Sequence, residues 1–250
     1  RQRGRHVASA ASAKGTMPPD PREYPTRWSM LENLRGADAA AAWSWFVDRY
    51  RAYISAVLVR VGLRRDEVED ALAEFWGYLF RTRAIDRADR DGRFRSFLAG
   101  VTRNYGLAWL RDQQPPAAPL KGDIAAPEER DQDLALWGEQ ILQLALARLE
   151  ADHVDEAKAV RWFYGLGARI GEAGERLRGT EIAERLGCLP NAVHQLLFRA
   201  RARLRNHVEA EVATTVGNSN DLRDELGLLL TALGSHRPGL LPADADQEPT

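Results

Sequence analysis

Cysteine is almost missing from this 250-residue chain: Cys188 stands alone. One sulfur closes no disulfide and builds no thiolate metal centre. That suits a reducing compartment, and a cytoplasmic location is the expectation. Long apolar runs are missing too. No stretch reaches the roughly 18 residues that a bilayer span requires, so membrane insertion is not expected. Arg1, Arg3 and Arg5 precede no apolar core of a secretory signal. An excess of one charge is also absent. Thirty-five basic residues meet 36 acidic ones, for a net charge of −1. A uniformly basic nucleic-acid coat is therefore excluded, and any such surface must come from uneven charge distribution. Lysine is scarce, with Lys14, Lys121 and Lys158 the only ones, so nearly all positive charge is arginine. Catalytic groupings are lacking as well. His6, His153, His194, His207 and His236 are scattered without metal-ligand spacing, and no glycine-rich phosphate loop occurs. Gly165, Gly167, Gly171 and Gly174 follow no strand signal. No catalytic residue, metal or cofactor is expected, and the chain does not read as an enzyme.

What is present is helical periodicity. The expected fold class is all-α: two helical domains joined by a flexible acidic linker. Residues 1–26, rich in Ala, Ser and Pro, read as a disordered N-terminal segment. The first domain spans 27–111. A helix over 38–61 places Trp45, Val47, Tyr50, Ile54, Val57, Leu58 and Val61 near one face. A second, over 66–81, starts at an Asp66 N-cap and buries Val68, Leu72, Phe75 and Leu79. The charged stretch 82–92 ends in Asp-Gly and reads as a loop. A third helix, 93–111, buries Phe94, Phe97, Leu98, Val101, Tyr105 and Ala108. Residues 112–133 hold Pro115, Pro116, Pro119 and Pro127 with six acids against two bases, an acidic linker. The second domain, 134–209, opens with helices over 134–149 and 152–165. The former carries Leu134, Leu136, Ile141, Leu144 and Leu149. A Gly- and Arg-rich stretch, 165–179, follows. A C-terminal extension, 210–250, includes one amphipathic segment, 221–233.

The strongest local signal lies between 180 and 209. Thr180 reads as an N-cap, and Ile182, Ala183 and Leu186 as the inner face of a short helix. Gly187 permits the left-handed turn that ends it. Asn191 reads as a cap for the next helix, whose inner stripe is Val193, Leu197, Ala200 and Leu204. Two short helices around a Gly turn form the helix-turn-helix that reads duplex DNA. Charge agrees: Arg176, Arg178, Arg185, Arg199, Arg201, Arg203 and Arg205 against Glu181 and Glu184 leave a local net of +5. Arginines of this kind supply sequence-independent affinity for phosphates. The helix over 93–111 carries a second basic and amide face of Arg93, Ser96, Gly100, Arg103, Asn104, Leu107 and Arg111, suited to holding a single strand. The helix over 66–81 has an acidic flank of Glu67, Asp70 and Glu74 beside Trp76, suited to a basic partner.

Taken in order, these segments resemble an extracytoplasmic-function sigma factor of RNA polymerase. EDALAEFWGYLFR (69–81) is similar to the polymerase-docking helix of that family. FRSFLAGVTRNYGLAWLR (94–111) is similar to its promoter-melting, minus-ten helix, and TEIAERLGCLPNAVHQLLFRARARLR (180–205) to its minus-thirty-five helix-turn-helix. The resemblance covers roughly 27–111 and 134–207. It implies two partners, RNA polymerase core and promoter DNA, and allows an anti-sigma factor or other regulator. It implies polymerase contacts at Glu67, Asp70 and Glu74. Minus-ten contacts would come from Arg93, Ser96, Arg103, Asn104 and Arg111, with a flipped base taken by 82–92. Minus-thirty-five contacts would come from Asn191, His194, Gln195 and Arg199, with Arg201, Arg203 and Arg205 on phosphates. The chain departs from the family at Ala73, usually Gln, at Leu196, often Arg, and in a longer stretch between Leu166 and Thr180. The extension is expected to pack on the domains or dock a regulator, or else to be a disordered tail. Two other readings stay open: a helix-turn-helix regulator working without polymerase, and a protein-binding adaptor without DNA contact.

Overall fold

The computed structural model describes residues 33–34, 39–88, 94–112, 127–216 and 219–241. The segment 1–26, Arg93, most of the proline-rich stretch and 242–250 lie outside them. Among the described residues the fold is all-α, with eight helices and no strand. They are α1 (Ala39–Val61), α2 (Val68–Thr82), α3 (Phe94–Asp112), α4 (Pro127–Asp152), α5 (Val154–Tyr164), α6 (Gly179–Leu186), α7 (Pro190–Ala213) and α8 (Ser219–His236). A 3-10 turn, Ala84–Arg87, occupies the first part of the expected loop.

Local chemistry sets the helix ends. Asp66 does not cap α2. The carboxylate of Glu67 turns back and accepts the Arg64 backbone N–H at 3.0 Å, so the helix starts at Val68. The left-handed Arg83 (φ 50°) ends α2. α6 likewise starts before Thr180. The Arg178 N–H donates to the Glu181 carboxylate at 2.6 Å, which satisfies one of the donors that a helix start leaves open. Asn191 is not the cap of α7. Leu189 is extended in that place, and Pro190, whose missing N–H costs nothing there, occupies the first turn.

Residues 127–133, expected as linker, form the first two turns of α4. This changes how the halves meet. α4 carries apolar residues on more than one side, while Asp131, Gln132, Ala147 and Glu150 stay exposed. It buries Trp137, Ile141, Leu142, Ala145, Leu146 and Leu149, a wider face than the stripe expected from the sequence. Trp137 crosses to α1, lying parallel to the Tyr50 ring (centroids 6.2 Å, 9°) and edge-on to Tyr53 (5.1 Å, 84°). Gln140 donates to the Arg49 carbonyl at 2.6 Å. A single hydrophobic cluster therefore runs from α1–α3 through α4 into α5–α7. Each large side chain buried there stabilises by about 1.5–3 kcal/mol, so both halves gain from the contact.

The C-terminal extension belongs to the same body. Leu229 and Leu233 of α8 are buried, and Leu233 packs against Gly138, where a Cβ would come within 3.3 Å of it. Arg237 pairs with Glu139, and the Tyr164 hydroxyl donates to the Gly239 carbonyl at 2.6 Å. No helix among the described residues is long and apolar enough to cross a membrane.

Candidate nucleic-acid interface

The helix-turn-helix forms around the expected residues. Gly187 takes the left-handed conformation (φ 64°). Its N–H donates to the Glu184 carbonyl, and the Cys188 N–H to the Ala183 carbonyl at 3.0 Å. This paired closure satisfies the last carbonyls of α6 and turns the chain into α7. Ile182 and Ala183 meet Val193, Leu197, Ala200 and Leu204, all buried. The interior stripe rotates the opposite side of α7 outward, so Asn191, His194 and Gln195 are exposed. Phe198, three residues beyond Gln195 on that side, is 36% exposed. It is absent from the residues expected at the duplex, although the 3.6-residue period puts it there.

The arginines of α7 are already engaged. Arg199 and Arg203 both donate to Glu156 of α5, at 3.1 and 2.5 Å. Burial pushes the Glu156 carboxyl up, but hydrogen bonds from Arg203 and Arg199 outweigh it and hold the group below its usual range. Arg201 lies over the rings of Phe163 and Tyr164, and Arg205 pairs with Glu209 at 3.0 Å. The guanidinium of Arg199 remains half exposed, so it is tethered rather than withdrawn. Arg176 and Arg178 are exposed, and among the described residues their guanidinium groups form no ion pair.

The stretch before α6 is a built joint. Leu166 and Ala173 form an isolated antiparallel bridge. The Gly167 carbonyl accepts from Arg161 and Gln143, both at 3.0 Å. A Cβ on Gly174 would meet the Leu166 carbonyl oxygen at 2.5 Å, so only glycine fits. Arg185 of α6 pairs with Glu175 at 2.7 Å and lies over the Trp162 ring. These contacts fix the helix-turn-helix against α5.

α3 presents a different picture. Ser96 and Arg111 are exposed, and Asn104 is half-buried. Arg103 is only 9% exposed and pairs with Asp133 at the start of α4. Arg60 of α1 pairs with the other oxygen of the same carboxylate. Nearby, Arg95 donates to the buried Glu225 of α8 at 2.5 Å. Tyr53 sits among these groups. Burial pushes its phenol up, and Asp133 adds to that, while Arg60, Arg95 and Arg103 oppose it. The expectation that Arg103 faces a strand is thus not met in this conformation.

On α2, Asp70 and Glu74 are exposed, while Glu67 is turned into its cap with Arg64. Trp76, expected as the exposed aromatic, is half-buried edge-on to Phe46. Phe80 takes the exposed role at 65%, packed edge-on to Trp43. No three metal-capable side chains converge among the described residues. Compared with models of known protein families the chain matches none, and no curated protein matches it.

Proposed function

We propose that the chain is a sigma-type adaptor: it docks on RNA polymerase core through α2, holds the opened minus-ten strand along α3, and reads the minus-thirty-five duplex with α6–α7. No bond is made or broken by it. The observation that carries this reading is the helix-turn-helix, with Asn191, His194 and Gln195 exposed ahead of an arginine-rich helix. Amide and imidazole groups at the start of such a helix suit base edges in the major groove, and the arginines behind them suit phosphates. Support of a second kind comes from the exposed Asp70 and Glu74 beside Phe80, an acidic and aromatic patch suited to a basic partner. A cytoplasmic place of action follows from this reading.

Run-off transcription with purified core polymerase tests it. Discrete transcripts that appear only when the chain is added are the expected result. Absence of transcripts together with absence of polymerase binding overturns it. Asp70→Ala with Glu74→Ala should weaken polymerase binding without changing the helical spectrum. The burial of Arg103 favours a second reading, a helix-turn-helix regulator in which α1–α3 are scaffold. Tight binding of duplex DNA without polymerase would select that reading.

A further inference from the structure

Three arginines of the first half converge on two acids of the second. Arg60 and Arg103 take the two oxygens of Asp133, and Arg95 takes Glu225. Both acids are almost fully buried, at 7% and 2% exposure. Removing a carboxylate from water is expensive, and only close pairing offsets it. The arginines belong to α1 and α3; the acids belong to α4 and α8. The charges are thus segregated, with cations on one side of the contact and anions on the other. One carboxylate does not exhaust the cations: Arg60 Nη1 is buried with no hydrogen-bond partner among the described residues. A phosphodiester carries the same charge as a carboxylate and suits a guanidinium fork equally well.

We propose that Arg60, Arg95 and Arg103 form a phosphate track for single-stranded DNA, which Asp133 and Glu225 occupy as carboxylate stand-ins while the chain is closed. The proposal rests on the reading of α3 as a strand-holding helix, and it adds Arg60 and Arg95 to that site. Opening the α1–α4 contact withdraws the acids, and the strand takes their place. The closed form then binds the strand weakly, because apparent affinity falls with the fraction of open chain. A nonspecific strand is excluded until a partner that prefers the open form shifts the balance.

The test uses the full chain and a labelled single-stranded oligonucleotide of mixed sequence, with neither polymerase nor promoter present. Asp133→Asn combined with Glu225→Gln should raise strand affinity on the order of tenfold, as for a closed form favoured about ten to one. Its salt dependence should steepen as more phosphates are held. Adding Arg60→Ala to that variant should remove the gain. A folded double variant with unchanged affinity overturns the proposal, as does a gain that survives Arg60→Ala. Should the double variant lose its helical spectrum, Asp133→Asn alone decides the matter. Raised strand affinity supports the track, and unaltered affinity refutes it. The failures are separable. A chain that drives run-off transcription without the gain loses the track and keeps the adaptor reading. A chain that shows the gain but never binds polymerase keeps the track and loses the adaptor reading.

Discussion

α3 and α7 both carry basic faces, yet the fold presents them in opposite ways. The start of α7 stands clear, and its arginines are tied to acids of their own half, Glu156 and Glu209. On α3 Ser96 and Arg111 stay exposed, but two arginines are covered by the other half, Arg103 closed onto Asp133 and Arg95 onto Glu225. The same residue pattern makes an open surface where a helix borders solvent and a guarded one where the chain folds back over it. Exposure is a property of what packs nearby, not of the helix that bears the residue.

The largest expected effect comes from loosening the α1–α4 contact, which holds Asp133 against Arg103 of α3. Trp137→Ala deletes a fully buried indole and should cost about 3–5 kcal/mol of stability, read by urea denaturation. Amide exchange should quicken along α3 while α6–α7 keep their protection. Equal loss in both would break the comparison and make the molecule one cooperative unit. Next comes Gly174→Ala, aimed at the α7 side. Its Cβ meets backbone rather than a flexible side chain, so a loss of about 1–3 kcal/mol is expected. Duplex binding should weaken with it while α3 is untouched; a change in α3 protection would blur the distinction.

A smaller effect is expected from Glu156→Gln, which releases Arg199 and Arg203. Both are substantially solvent-exposed, so duplex affinity should rise only about two- to fivefold, the scale of an exposed ion pair. A fall instead would mean that Glu156 positions these arginines for DNA. The smallest effect is on pH dependence. Burial and the nearby Arg148 hold His207 below its ordinary value of 6.5. The neutral form is favoured in the fold, so this contribution is complete above pH 6.5 and is lost as pH falls toward the folded value. Glu156 is depressed too, and its contribution is lost only at still lower pH, below its ordinary 4.5. Melting temperature followed downward from pH 7 should decline first on account of His207, and His207→Gln should flatten that first decline.

Much of this was legible in the chain. The all-α class, the Gly187 turn and the Val193–Leu197–Ala200–Leu204 stripe follow from local rules and appear as expected. On α1 the stripe was misplaced: Phe46 is buried, whereas Trp45 and Val47 are half-buried. Three adjacent large residues leave the phase ambiguous, and only the neighbouring α2 and α4 resolve it. Asp66 and Thr180 looked like caps because their side chains accept hydrogen bonds well. In both places a glutamate that reaches back to a backbone N–H set the helix start instead.

Taken alone, the amino-acid order determined what neighbours along the chain can decide. Helical period, the left-handed glycine and the run of arginines each depend on a few adjacent residues. The tertiary structure decided what depends on distant ones. Asp133 looked like one more acid in a linker, and Arg103 like a surface cation. Their meeting, with Arg60 from a third helix, required α4 to start early and Trp137 to seat between Tyr50 and Tyr53. Local propensity has no term for that closure, because the free energy that drives it is buried area shared between segments far apart in sequence.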